Sequence, residues 1–302
     1  MLVTKLDDII SLAKSKTNKR LAVVFVNDTL TLKAVNEAVE NGIIDATLTG
    51  QKEVINKLCD ELNISINKFD IIEQSDPTEA GLLCCDLINE GKAHLIMKGS
   101  ITTDEYMRCI LNKERGLLPP NSLMTHATVM EPPGAGKLLI IGDVAIIPAP
   151  TVDQKEKILL YLLDIARKLE IKQPKVALIA PSEKPSKKIQ SSADAMELVE
   201  RAAKGIFGDS IIAGPMGFDL AIDKEAVKIK GYESPVGGNA DIILFPNLES
   251  GNVFYKTMTK FVHAEAAAII LGGKVPAILS SRGDTPKSKL YSIALAAVTT
   301  DL

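Results

Sequence analysis

From one end of the 302-residue chain to the other, short unbroken apolar runs alternate with stretches in which apolar residues recur at helical spacing. An unbroken run marks a strand covered on both faces, and a helix between strands carries the chain back for a parallel pairing. This rhythm therefore restricts the chain to a mostly parallel sheet with helices on both sides. Residues 21–26, 43–49, 69–73 and 94–97 read as strands, and 29–41, 51–62, 79–91 and 103–112 as the helices that follow them. The stretch EPPGAGKLLIIGDVAIIPAPT (131–151) interrupts the pattern with prolines, glycines and two apolar runs, and a first crossing between two lobes is placed near 132–136. Alternation then resumes, with a helix over 153–169, a strand over 175–180, a helix over 192–204 and a strand over 210–213. A strand over 241–245 and helices over 250–261 and 263–270 come next. The polar, proline-containing PSEKPSKKIQSS (181–192) reads as a loop.

Composition excludes several functions. A formal net charge of −3 lacks the basic surplus of a duplex nucleic-acid binder, while leaving room for a local basic pocket. No segment approaches the roughly 20 apolar residues of a membrane span. The opening MLVTKLDDIISLAKSK is an amphipathic helix interrupted by Asp7 and Asp8, without the apolar core of a signal peptide. Cys59, Cys84, Cys85 and Cys109 form no CxxC pair, so reduced core thiols are expected. These features predict a cytoplasmic protein whose partners are neither nucleic acid nor membrane.

Four stretches carry groups that bear on chemistry. PPGAGK (132–137) resembles a P-loop, but Glu131 stands where the first glycine belongs and Leu138 follows Lys137 in place of Ser or Thr. The histidines, His94, His126 and His263, are scattered without metal-ligand spacing. In MKGSITTDEYMRCILNKERGL (97–117) a strand ends at Lys98-Gly99, the edge at which open α/β sheets bind ligands, and glycine there admits a close approach to the backbone. Thr102-x-x-Glu105 is a capping box, and Arg108 shares a helix face with Asp104, either as a surface ion pair or as a ligand group. In the 214–258 stretch Gly237-Gly238 precedes a strand, and Asn247 or Ser250 caps a helix on which Asn252 and Lys256 share one face. An amide and an ammonium near free helical N–H groups suit phosphate. Finally, AILSSRGDTPKSKLYSIALA (277–296) is an apolar strand, then Ser281-Arg282-Gly283-Asp284, then a helix with Thr285 at its N-cap and Pro286 in its first turn. An arginine at a strand-to-helix turn offers a planar fork for phosphate at the positive end of a helix.

Taken in order, Lys98-Gly99…Thr103…Arg108, Leu111-Asn112-Lys113-Glu114-x-Gly116-Leu117, Gly214-Pro215…Asp219-x-Ala221, Val236-x-Gly238-x-Ala240-Asp241, Gly251-Asn252…Tyr255-Lys256 and Ser281-Arg282-x-Asp284…Lys289 resemble the signature of the phosphate acetyl/butyryltransferase family, its butyryl branch above all. The resemblance covers essentially the whole chain. It implies a two-lobed α/β/α sandwich with mostly parallel sheets, like isocitrate and isopropylmalate dehydrogenases. In it residues 1–131 and 274–302 form the first lobe, residues 132–273 form the second, and the active site lies in the cleft. It implies the reaction acyl-CoA + phosphate ⇌ acyl phosphate + CoA, with no permanently bound cofactor or metal, acyl-CoA and phosphate as partners, and a homo-oligomer. It assigns Ser281, Arg282, Asp284 and Arg108 to catalysis, and Lys98, Gly99, Thr103, Gly238, Asn252 and Lys256 to substrate binding. The arginines would neutralise phosphate, Ser281 would hydrogen-bond the oxyanion and a general base would generate the CoA thiolate. The acetyl type carries an aspartate where Ser288 stands, so Asp284 is the base expected here. The competing reading is a metal- and NAD(P)-dependent dehydrogenase of the same fold.

Overall fold

The computed structural model describes residues 3–279 and 284–300. Two compact units divide it, one of Asp7–Met124 with the chain from Ala266 onward, the other of Thr125–Glu265 with the residues up to Leu6. In chain order the first unit contains α1 (Leu6–Lys14, beginning at the boundary), β1 (Lys19–Val24), α2 (Thr29–Glu40), β2 (Ile44–Gly50), α3 (Lys52–Leu62), β3 (Phe69–Glu73), α4 (Pro77–Asn89), β4 (Leu95–Lys98) and α5 (Thr103–Ile110). The second contains β5 (Thr125–Glu131), β6 (Leu139–Gly142), α6 (Val152–Lys168), β7 (Lys175–Ile179), α7 (Gln190–Ala203), β8 (Ile211–Met216), α8 (Phe218–Ile222), α9 (Lys224–Lys230), β9 (Ile242–Leu244) and α10 (Leu248–Lys260). The chain then supplies β10 (Glu265–Leu271), β11 (Ala277–Ile278) and α11 (Pro286–Thr299) to the first unit.

In the first unit the strands lie in the order β3-β2-β1-β4-β11-β10, parallel from β3 to β11, with β10 antiparallel to β11. All four residues of β4 and all but Arg20 of β1 are buried, which is why these strands read as unbroken rather than alternating apolar runs. In the second unit the order is β5-β6-β9-β7-β8, with β5 antiparallel to β6 and the others parallel. The first crossing between units comes earlier than the proline-glycine break suggests, because residues 125–131 pair with β6 and so belong to the second unit.

One expected helix is a strand. Residues 263–270 were expected to be helical, and the alanines of HAEAAAII favour that state locally. Instead Val262 and Ala264 donate back to the carbonyls of Thr257 and Met258, closing α10, and His263 turns left-handed at φ 54°. The chain leaves that turn as β10 and pairs with β11. Pairing and burial thus override a propensity worth only tenths of a kcal/mol per residue.

Local capping follows the sequence closely. Thr102 and Glu105 form the reciprocal capping box of α5, Asn247 caps α10, and Thr285 accepts the Ser288 N–H at 3.1 Å to start α11. The P-loop-like lysine is accounted for as well: the Lys137 ammonium pairs with Asp241 and donates to the Asn239 carbonyl at 3.1 Å, tying the starts of β6 and β9 together. All four cysteines are buried and free. Burial pushes the Cys84 thiol up to about 12 and raises Cys59, Cys85 and Cys109. Since the thiolate is the reactive form, a disulfide-exchange thiol reagent should titrate none of the four in the native protein and all four after denaturation. A fast-reacting equivalent in the native state would contradict this packing.

Candidate active site

Three parallel strands of the first unit, β1, β4 and β11, end side by side, since Val24 pairs with Lys98 and Ile278 with Met97. Their carboxyl ends bring the turn after β1, the Lys98–Thr102 connection and the end of β11 to one edge. Lys98 is buried and its ammonium donates to the Gly99 carbonyl at 3.2 Å. Beside it Phe25 adopts the left-handed region at φ 52°, with its N–H donating to the Thr49 hydroxyl at 3.1 Å. Such a conformation costs on the order of 1–3 kcal/mol and persists only where the surroundings impose it. The Gly99 and Ser100 N–H groups donate to the Val24 and Phe25 carbonyls.

That contact gives Gly99 a reason of its own. A Cβ there would lie 2.4 Å from the Val24 oxygen and 2.8 Å from that of Phe25, both backbone atoms that cannot swing aside. The close approach that the sequence suggested for a ligand is made on this side by β1. Gly99→Ala should therefore lower stability by about 2–3 kcal/mol, read as a lower urea midpoint, and should displace Lys98 and Ser100 enough to reduce activity. An unchanged midpoint would show that the turn relaxes freely.

Asp28 and Lys289 join this edge although neither was singled out as a site residue. Asp28 caps α2 through Oδ1, which accepts the Thr31 N–H at 2.7 Å, and its Oδ2 accepts the Ser100 hydroxyl at 2.9 Å. Lys289, one turn into α11, is 4% exposed. Burial lowers its ammonium below the usual lysine range, while Asp28 and Asp284 both act in the opposite direction. Asp28 looks in sequence like any N-cap. The signal for Lys289 was available: α11 is buried on all sides from Lys289 to Thr299, so a lysine at that point cannot reach water freely.

The remaining expected residues are placed as follows. Asp284 precedes the Thr285 cap and is half-buried, whereas Ser281 and Arg282 lie outside the described residues. Thr103 opens α5 on its exposed side. Arg108, one turn on, is exposed and pairs with Asp104 at 2.8 Å. In the second unit Gly238 is left-handed at φ 61°, with its α-carbon face 2.7 Å (as a Cβ would measure it) from the Lys224 backbone, so close packing at the start of α9 requires glycine. Asn252 donates its side-chain N–H to the Val144 carbonyl at 3.0 Å, and Lys256 is exposed one turn further along α10. His126 is buried next to Tyr255, with ring centroids 6.5 Å apart, and its backbone N–H and the Thr125 hydroxyl both donate to the Asp143 carboxylate. A cavity of about 1090 Å³ in this unit opens at the ends of β7 and β8 among Thr151, Lys155, Gln190, Asp194, Phe218 and Asn247. Gly238, Asn252 and Lys256 do not line it.

A family model described as Phosphate acetyl/butaryl transferase matches residues 76–297. The phosphate butyryltransferase of Clostridium acetobutylicum is 35% identical over 297 residues, covering 98% of each chain. The phosphate acetyltransferase of Thermotoga maritima is 34% identical over 293 residues, 97% of this chain and 99% of its own. A crystal structure of a branched-chain phosphotransacylase from Enterococcus faecalis superposes with a TM-score of 0.83 at 28% identity, over 93% of this chain and 98% of that one. The mostly parallel α/β units define the fold class, and the relatives place the chain's chemistry among the phosphate acyltransferases. The chain belongs to the phosphate acetyl/butyryl transferase family.

Proposed function

We propose that the enzyme transfers a short or branched acyl group, butyryl foremost, reversibly between CoA and inorganic phosphate: acyl-CoA + phosphate ⇌ acyl phosphate + CoA. Toward acyl-CoA, Asp284 takes the thiol proton of CoA and the sulfur attacks the acyl carbonyl. The C–S bond forms, the tetrahedral oxyanion collapses, and the C–O bond to phosphate breaks. Arg282 and Arg108 neutralise the phosphate oxygens, and Ser281 donates to the oxyanion. Lys98, Gly99 and Thr103 hold substrate in the first unit, and Gly238, Asn252 and Lys256 do so in the second. The reaction takes place in the cytoplasm, in a homo-oligomer, following the general preference for closed symmetric association.

The observation that carries this reading is the side-by-side ending of β4, which carries Lys98, and β11, which Asp284 follows in sequence, in a chain 35% identical to a phosphate butyryltransferase over nearly its whole length. The test is phosphate-dependent release of CoA thiol from butyryl-, isobutyryl-, propionyl- and acetyl-CoA. Each CH₂ buried by the acyl pocket is worth about 0.8 kcal/mol, or roughly fourfold in kcat/KM, so butyryl- over acetyl-CoA should show as a preference of about tenfold or more. No release from any of the four at saturating phosphate would overturn the reading, and a preference for acetyl-CoA would move the enzyme to the acetyl branch.

A further inference from the structure

The turn after β1 grips the turn after β4 through both backbone and side chain. The Gly99 N–H donates to the Val24 carbonyl at 2.9 Å and the Ser100 N–H to that of Phe25 at 2.8 Å, continuing the pairing of the two strands past its end. The Ser100 hydroxyl adds a bond of another kind, donating at 2.9 Å to Asp28 Oδ2, 72 positions away in sequence. A hydrogen bond to an ionised carboxylate is about twice as strong as one between neutral groups. The acceptor is itself held, because Asp28 Oδ1 takes the Thr31 N–H at 2.7 Å as the cap of α2. One carboxylate therefore ties the first turn of a 12-residue helix to the residue after Gly99.

The β1 turn is kept in a conformation that a phenylalanine does not favour. Phe25 lies at φ 52°, and its N–H donates to the Thr49 hydroxyl, which donates in turn to the Val23 carbonyl, each at 3.1 Å. The Val26 N–H donates to the Thr49 carbonyl at 2.8 Å, and Thr49 is fully buried on β2. Backbone of this kind persists only where its surroundings over-determine it, and it gathers where a group must be held ready. The group held here is Lys98. Its ammonium, 5% exposed as a residue, rests on the Gly99 carbonyl at 3.2 Å. That carbonyl and the Ser100 N–H belong to one planar peptide and point in opposite directions. Fixing Ser100 against Phe25 and Asp28 therefore fixes the oxygen on which Lys98 rests.

Resting on the assignment of Lys98 to substrate binding, we propose that Asp28 and Ser100 are positioning residues of the transfer reaction, a latch that sets the Gly99–Ser100 peptide and through it the Lys98 ammonium. Phosphate then meets a cation already in place instead of one that must be ordered on binding. Lys98 holds phosphate in the ground state and in the transition state alike, so loosening it acts on the KM for phosphate and leaves kcat nearly unchanged.

The test compares Ser100→Ala, Asp28→Ala and the double variant in the full chain. Ser100→Ala should raise the KM for phosphate about tenfold, the effect of losing one hydrogen bond to a charged group, with kcat within about threefold of the parent. Ser100→Thr keeps the hydroxyl and should restore the parent KM. Asp28→Ala should raise the KM as much and also lower the urea midpoint, because it removes the α2 cap as well. In the double variant the KM should rise no further than in either single one, since both remove the same bond. Acetylation of Lys98 by acetic anhydride, followed by mass spectrometry of its peptide, reads the hold on the lysine without reference to turnover. Ser100→Ala should speed it about tenfold. Unchanged labelling overturns the proposal, and so do KM effects that multiply in the double variant. Faster labelling with an unchanged KM for phosphate overturns it from the other end, by removing Lys98 from substrate binding while the transferase activity stands. A parent enzyme that releases no CoA from any acyl-CoA is instead the failure of the transfer reaction itself, and the latch then has no reaction to serve.

Discussion

Arg282→Ala should lower kcat/KM for phosphate-dependent CoA release by about 100- to 1000-fold, the range seen when one donor to developing charge is removed from a preorganised site. Two oxygens on one edge of a tetrahedral phosphoryl group match the two parallel N–H donors of a guanidinium fork. Arg282→Lys keeps the charge but loses the fork, and should recover only part of the activity. Stability is the control, because an effect exerted on the reacting phosphate leaves the melting temperature within about 2 °C of the parent. Arg108→Ala belongs beside it. The Asp104–Arg108 pair is exposed on both sides, so its loss changes stability little, and any fall in turnover reads Arg108 as a substrate group. A change of less than about threefold for Arg282→Ala would put the phosphate elsewhere, since a donor of this kind is worth far more.

The second large effect is one of stability. Lys155 on α6 and Asp194 on α7 are 5% and 9% exposed and meet at 2.5 Å, while the other Asp194 oxygen accepts the Gln190 amide at 2.7 Å. Lys155→Met leaves Asp194 buried with the amide as its remaining side-chain donor, and should cost about 3–5 kcal/mol. Adding Asp194→Leu should restore most of that, because the cost comes from an uncompensated charge and not from a lost attraction. Urea unfolding of the single and double variants measures both. A loss below about 1 kcal/mol in Lys155→Met would mean that water reaches the carboxylate from the neighbouring cavity.

This pair also shows where reading the chain in one dimension fails. In sequence Lys155 is one charge among several at the start of an amphipathic helix, and such a lysine ordinarily points to solvent. Its burial is decided by α7 lying against α6, a contact that joins residues 39 positions apart. Lys289 is the intermediate case. The all-round apolar character of α11 implies that the lysine is buried, but α2, the helix packed against α11, comes from the other end of the chain. The helix expected over 263–270 failed for the same reason: its alanines are locally helical, and a strand partner supplied by residues 277–278 overrules them.

What was legible rested on short-range physics. Strand and helix alternation, the Thr102–Glu105 box, the Thr285 cap and the ordered motifs from Lys98 to Asp284 each depend on residues within a few positions of one another, and periodicity and capping report these directly. Those motifs were sufficient for the fold class and the family. Left to the tertiary structure were the contacts between elements far apart in sequence: β1 filling the space beside Gly99, α9 pressing on Gly238, Asp241 claiming Lys137, and α2 packing against α11. These depend on which strand lies next to which and on what water can reach. Both are properties of the packed sheet, which no local window of the chain contains.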